Sequence, residues 1–137
     1  MANKDKTISF NRKAYHNYEI LETVEAGIAL MGSEIKSIRA GRVSLGEAYA
    51  WPEKGELWLL NVHIPRYEAA GYASHEPIRP RKLLLHQGQI AYLSGKVAEK
   101  GLTLVPLRLY LKRGLAKIEL GLGRGKKVYD KRQTLKK

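Results

Sequence analysis

The sequence predicts a mainly β domain with short helices, closed as a five-stranded Greek-key barrel of the OB type and followed by a disordered basic tail. Three observations lead there. Apolar residues fall on alternate positions in five separate runs, as strands with one buried face require. A run with helical spacing stands between the third and fourth of them, where an OB barrel carries its helix. After Gly123 the chain becomes RGKKVYDKRQTLKK, with seven Lys or Arg and only Val128, Tyr129 and Leu135 as sizeable apolar groups, too few to bury a core. An open α+β sheet would produce a similar string of elements and remains an alternative. The division expected is a basic arm over residues 1–15, the barrel over 16–123 and the tail over 124–137.

Residues 1–15 carry Lys4, Lys6, Arg12 and Lys13 with little apolar content, which reads as a loosely held arm. In the first strand Tyr18, Ile20, Val24, Ala26, Ile28 and Leu30 form one apolar face, interrupted by Glu22, while Glu19, Thr23 and Glu25 take the other. Ser33 is placed to cap a short helix with Glu34 in its first turn, Ile35 and Ile38 on one side and Gly41 as its stop. Val43 to Trp51 reads as the second strand and Pro52 to Gly55 as a turn. In the third strand Trp58, Leu60, Val62 and Ile64 alternate with Leu57, Leu59, Asn61 and His63, up to Pro65. Residues 66–82 hold Gly71, Pro77 and Pro80 without a periodic face and are expected to be a long loop. From His86, the positions Ile90, Leu93 and Val97 recur at helical spacing before Gly101. Thr103 to Leu111 and Ala116 to Leu122 then alternate on either side of a KRG turn, with Pro106 on the less demanding face of this hairpin.

At 137 residues the chain fits one domain, and without cysteine it has neither disulfides nor thiolate zinc ligands, which suits a reducing cytoplasm. No apolar run reaches membrane-spanning length, and no membrane partner is expected. The excess of 25 Lys and Arg over 13 Asp and Glu, a formal +12, points to a polyanion. The four histidines are scattered without paired carboxylates, so no metal and no cofactor are expected. GLGRGKK fails as a phosphate loop because Leu120 stands where the first glycine is needed and no Ser or Thr follows the lysines. An enzyme is therefore not expected.

Three basic clusters remain, Asn11 to Lys13, Arg79 to Lys82 and Arg124 to Arg132, with Tyr15, Tyr18, Tyr72 and Tyr129 in or beside them. Tyrosines among cations can stack on bases while Lys and Arg take phosphates, which suits a folded RNA with exposed loops.

The segments NRKAYHNYEILETVEAGIALMGSEIKSIRAGRVSL, RPRKLLLH and KGLTLVPLRLYLKRGLAKIELGLGRGKK, with Asp130 to Arg132, resemble the SsrA-binding protein (small protein B) family along nearly the whole chain. The resemblance implies an OB-type barrel that binds the tRNA-like domain of transfer-messenger RNA (tmRNA). It also implies delivery, with elongation factor Tu and the aminoacylated tmRNA, to stalled ribosomes in trans-translation. Carried over by residue, it makes Asn11, Glu25, Leu84 and His86 contacts to the tRNA-like elbow, with Arg12, Lys13, Arg81, Lys82, Gly125, Lys126 and Lys127 alongside. Tyr129, Asp130, Lys131 and Arg132 fall in the segment that family members place in the decoding region of the small ribosomal subunit. Family members usually continue into a longer basic tail, whereas this chain stops at Lys137. In a protein of charge +12, Glu25 would repel phosphate and is better suited to accepting from the amino edge of a base. Two other readings are a general single-stranded nucleic-acid-binding OB module and a nuclease or RNA-modifying enzyme using His16 and Glu25 as acid and base.

Overall fold

The strand expected from Tyr18 is present and runs for 11 residues, but it changes face halfway. A computed structural model describes residues 6–67 and 74–126. Its elements in chain order are β1 (Lys6–Phe10), α1 (Arg12–Asn17), β2 (Tyr18–Ile28), α2 (Gly32–Arg39), β3 (Tyr49–Glu53), β4 (Glu56–Leu60), β5 (Arg81–Leu84), α3 (Gln87–Lys100), β6 (Thr103–Lys112) and β7 (Leu115–Gly125). All strand pairings are antiparallel, in the order β1-β6-β3-β4-β5-β2-β7, and a further β6–β7 pairing joins the two ends, so six strands pair in a ring with β1 added outside on β6.

A bulge between Ile20 and Glu22 explains the interruption seen in the sequence. It inserts one extra residue against β7, so Val24, Ala26 and Ile28 face the main core while Tyr18 and Ile20 face a smaller cluster under α1. The partner bulge in β6, between Pro106 and Arg108, does the same: Leu104 and Leu109 enter the main core, and Val105 and Leu107 join Ala14 in the smaller one. The two continuous apolar faces read from alternation are therefore each split between two cores.

Within the stretch expected to be a loose arm, Lys6–Phe10 forms β1, which pairs with the edge of β6 from Arg108 to Leu111, and Ile8 packs on the main core. Asn11 then caps α1, its Oδ1 accepting from the Ala14 N–H at 3.2 Å. Ser33 is not the cap of α2. The helix begins two residues earlier, at Gly32 with Met31 as its N-cap, and the Met31 N–H donates to Glu34 Oε1 at 2.7 Å, while Ser33 Oγ bonds His75 Nδ1 at 2.9 Å. The second strand starts later than expected, at Tyr49, with only a single bridge from Ser44 to His63 before it. In the third, Leu57 and Leu59 point inward rather than Trp58 and Leu60. Asn61, at φ 65°, ends β4 and resets the alternation so that Val62 and Ile64 also point inward. The expected loop runs two residues too far: Arg81 and Lys82 already belong to β5, which continues through Leu84 and pairs with β4 and β2. The second helix stops where expected, at Gly101 with φ 65°.

A buried ionic cluster fixes α2 to β5. Arg81 Nε and Arg79 Nε donate to Glu34 Oε2 at 2.7 and 3.0 Å, and Arg81 also donates to the carbonyls of Val62 and Pro77. Both Arg81 and Glu34 are fully buried. Burial pushes the Glu34 carboxyl up, but Arg79, the Met31 N–H and Arg81 outweigh it and hold the group below its ordinary value.

Candidate nucleic-acid interface

Three of the expected contacts meet in one groove. Gly27 on β2 pairs with Leu84 on β5, and the chain runs on through Leu85 and His86 into α3, so Glu25, Leu84 and His86 line a common hollow with Gln89 and Lys117. Gly27 permits the close approach, since a Cβ there would lie 3.3 Å from Leu84 Cβ. Leu84 is 51% exposed, an apolar side chain offered to a partner rather than to the core.

Glu25 points outward, as its alternation predicted. Its Oε2 accepts from Tyr110 Oη and from Lys112 Nζ, the latter at 3.4 Å. The Tyr110 hydrogen bond is the largest influence and, with help from Lys112, holds the carboxyl below its ordinary value against desolvation. Both bonds end on Oε2, so Oε1 keeps the capacity to accept from a base edge. Beside it Arg108 lies over the Tyr110 ring, 4.0 Å from the centroid, and pairs with Glu119 at 3.0 Å. On this face a carboxylate and cations alternate, with the buried Tyr110 ring beneath Arg108.

Two expected contacts lie inside the fold. Asn11 is buried, with Nδ2 donating to the carbonyls of Pro106 at 2.8 Å and Leu45 at 3.2 Å, and Arg81 is committed to Glu34 and to backbone carbonyls. Lys82 shares the outward face of β5 with Leu84 and pairs with Glu56 at 2.8 Å.

A second basic group sits at the far end of β2. Arg12 and Lys13 are exposed on α1, Lys13 paired to Glu47, and Gly125 is opposite Tyr18, after which the Lys126 N–H donates to the Asn17 carbonyl at 3.0 Å. Seven residues of strand separate Tyr18 from Glu25, roughly 20 Å. His16 belongs to this far end, so His16 and Glu25 are not brought together as an acid–base pair. Among the described residues no group of three metal-ligating side chains forms, and no helix is long and apolar enough to cross a membrane.

Tyr15 is exposed and stacks on Phe10, ring centroids 5.7 Å apart, whereas Tyr18 is partly covered in the small core. Tyr72, Lys127, Tyr129, Asp130, Lys131 and Arg132 lie outside the described residues. Gln89, Tyr110 and Lys117 had not been singled out. Lys117 stands next to inward Ile118 and could have been placed outward by alternation, but no sequence signal says that β7 sets it beside β2.

Residues 8–137 match the family profile described as SmpB protein. The SsrA-binding protein of Dehalococcoides mccartyi is 61% identical over 131 residues, covering 96% of this chain and 76% of that protein. The SsrA-binding protein of Carboxydothermus hydrogenoformans is 61% identical over 133 residues, covering 97% and 89%. A chain in the solved structure described as "tmRNA-SmpB: a journey to the center of the bacterial ribosome" superposes with a TM-score of 0.73 at 56% identity, covering 88% of this chain and 85% of that one.

Proposed function

Because the chain belongs to the SmpB protein family, we propose that it is an RNA-binding adaptor that binds the tRNA-like domain of tmRNA and acts in trans-translation on stalled ribosomes. The observation that carries this reading is the shared groove of Glu25, Leu84, His86 and Lys117. A carboxylate kept ionised among lysines suits base edges, and the lysines suit phosphates. Arg12, Lys13, Lys82, Gly125, Lys126 and Lys127 extend the phosphate-binding surface. Asn11 and Arg81 act through position: Asn11 ties α1 to β6, and Arg81 anchors β5, which carries Leu84.

The finer parts of the reading follow the family. The ring of antiparallel pairings, with α3 between β5 and β6, supports an OB-type Greek-key barrel. Tyr129, Asp130, Lys131 and Arg132 would enter the decoding region of the small subunit, with Tyr129 stacking on a base. Delivery would occur with elongation factor Tu carrying aminoacylated tmRNA, in the cytoplasm, with no catalysis by this chain.

Competition binding tests the core of the proposal. A labelled tRNA-like RNA should stay bound in the presence of equimolar unstructured RNA, and displacement would favour a general single-strand binder. With about six phosphates neutralised, log affinity should fall against log salt with a slope of about −4 to −5.

A further inference from the structure

The groove at Glu25 does not end at Gln89. That residue also lines a neighbouring hollow of about 300 Å³ between the start of α3 and the bulge of β2, walled by Glu22, Thr23, Gly88 and Tyr92. Glu22 and Leu122 are shared in turn with a third hollow, bordered by Leu21, Lys96 and Arg124. The three form one trough beside β2, from the Glu25 groove to the end where the chain leaves β7.

We propose that this trough takes an unpaired stretch of RNA, with one base stacked on Tyr92 and its exocyclic amino group donating to Glu22. The proposal rests on the RNA-binding reading above and extends its contact surface. Tyr92 is 48% exposed and Leu21 41%, so the trough offers an aromatic and an aliphatic surface to a partner. Tyr92 Oη donates to Glu22 Oε2 at 2.7 Å, which orients the ring across the hollow. Among the described residues no Lys or Arg forms an ion pair with Glu22, which leaves this carboxylate, in a chain of charge +12, with acceptor capacity for a base amino group and little use against phosphate. Phosphates have their own partner: Lys96 Nζ lies over the Tyr92 ring, 5.4 Å from its centroid, and a base stacking on that face would displace the ammonium toward the nucleotide's phosphate. Glu25, on the same strand as Glu22, likewise accepts from a tyrosine hydroxyl, but that ring, Tyr110 on β6, is buried, so of the two only Tyr92 presents its ring to a partner. Residue 88, on the wall of this hollow, is glycine, and an added Cβ there would enter open space, meeting nothing within 4 Å.

The test is a binding titration of the full chain with the tRNA-like RNA, first intact and then with each unpaired nucleotide in turn made abasic. Wild-type protein should lose about tenfold in affinity at one abasic position, Tyr92→Ala should lose about tenfold on the intact RNA, and the two losses should not add. Tyr92→Phe should keep most of the affinity, since stacking survives. Gly88→Leu should bind about tenfold more weakly with a melting temperature no lower than wild type, because it fills the trough while removing a helical glycine. If Tyr92→Ala and Gly88→Leu bind the intact RNA as wild type does, or if the Tyr92→Ala and abasic losses add at every position, the trough is not an RNA site. Failure of the wild-type protein to bind the RNA at all would instead overturn the adaptor reading.

Discussion

Glu34 shows how one buried side chain can be decisive without touching any partner molecule. Its pKa in the folded chain lies below the ordinary 4.5, so the stabilisation it contributes is fully present above that value and fades as pH falls through the folded pKa. Glu34→Gln should therefore lower unfolding stability at pH 7 by about 3–5 kcal/mol, because Arg81 would be left buried without its counter-charge. Urea midpoints from pH 7 to 3 should fall below 4.5 for the wild type and stay flatter for the variant. Glu25 is the opposite case. It is exposed beside Lys112, so Glu25→Ala should weaken binding of the tRNA-like RNA while leaving the melting temperature nearly unchanged. Parallel fluorescence titration and thermal scans would separate the two effects. The outward position of Glu25 could be read from alternation, but its tyrosine partner, 85 residues away, could not.

At the scale of elements, the sequence reveals where strands are more readily than which way they face. Period-two patterns located β2, β6 and β7, yet a bulge leaves the alternation looking intact while sending its two halves to different cores, and only Glu22 betrayed the one in β2. β1 and β5 were missed because they are short and polar enough to pass for loop, and pairing with existing edges is what orders them. Leu84 and His86 could be matched by family resemblance, whereas their meeting with Glu25 depends on the β2–β5 register. The small core under α1 supplies its own test. A Cβ at Gly121 would stand 2.9 Å from Leu107 Cδ1 and 3.2 Å from Ile20 Cγ2. Gly121→Ala should cost about 1–3 kcal/mol in denaturant unfolding, and Leu107→Ala in the same chain should relieve part of the clash.

The whole molecule divides its basic charge between the sheet and the segment after it. Deleting residues 127–137 should leave the melting transition intact and most of the tRNA-like affinity in place, because Glu25, Leu84 and His86 all precede the cut. Peptide tagging of a stalled nascent chain in a reconstituted translation system should collapse. Equal loss of affinity and tagging would mean that the deleted segment belongs to the RNA surface. The ring of pairings also bears on the order in which this protein can be made. β2 is synthesised early, but Tyr18 pairs with Gly125 and Ala26 with Ile118, so nearly the whole chain must appear before its long edge is satisfied. Until then a nascent chain presents an open strand of mixed polarity to solvent and chaperones, and folding waits on contacts between its two ends. A message broken shortly before the codons of β7 would yield a product with two unfilled edges, on β2 and β6, that cannot close on itself and is exposed to proteolysis.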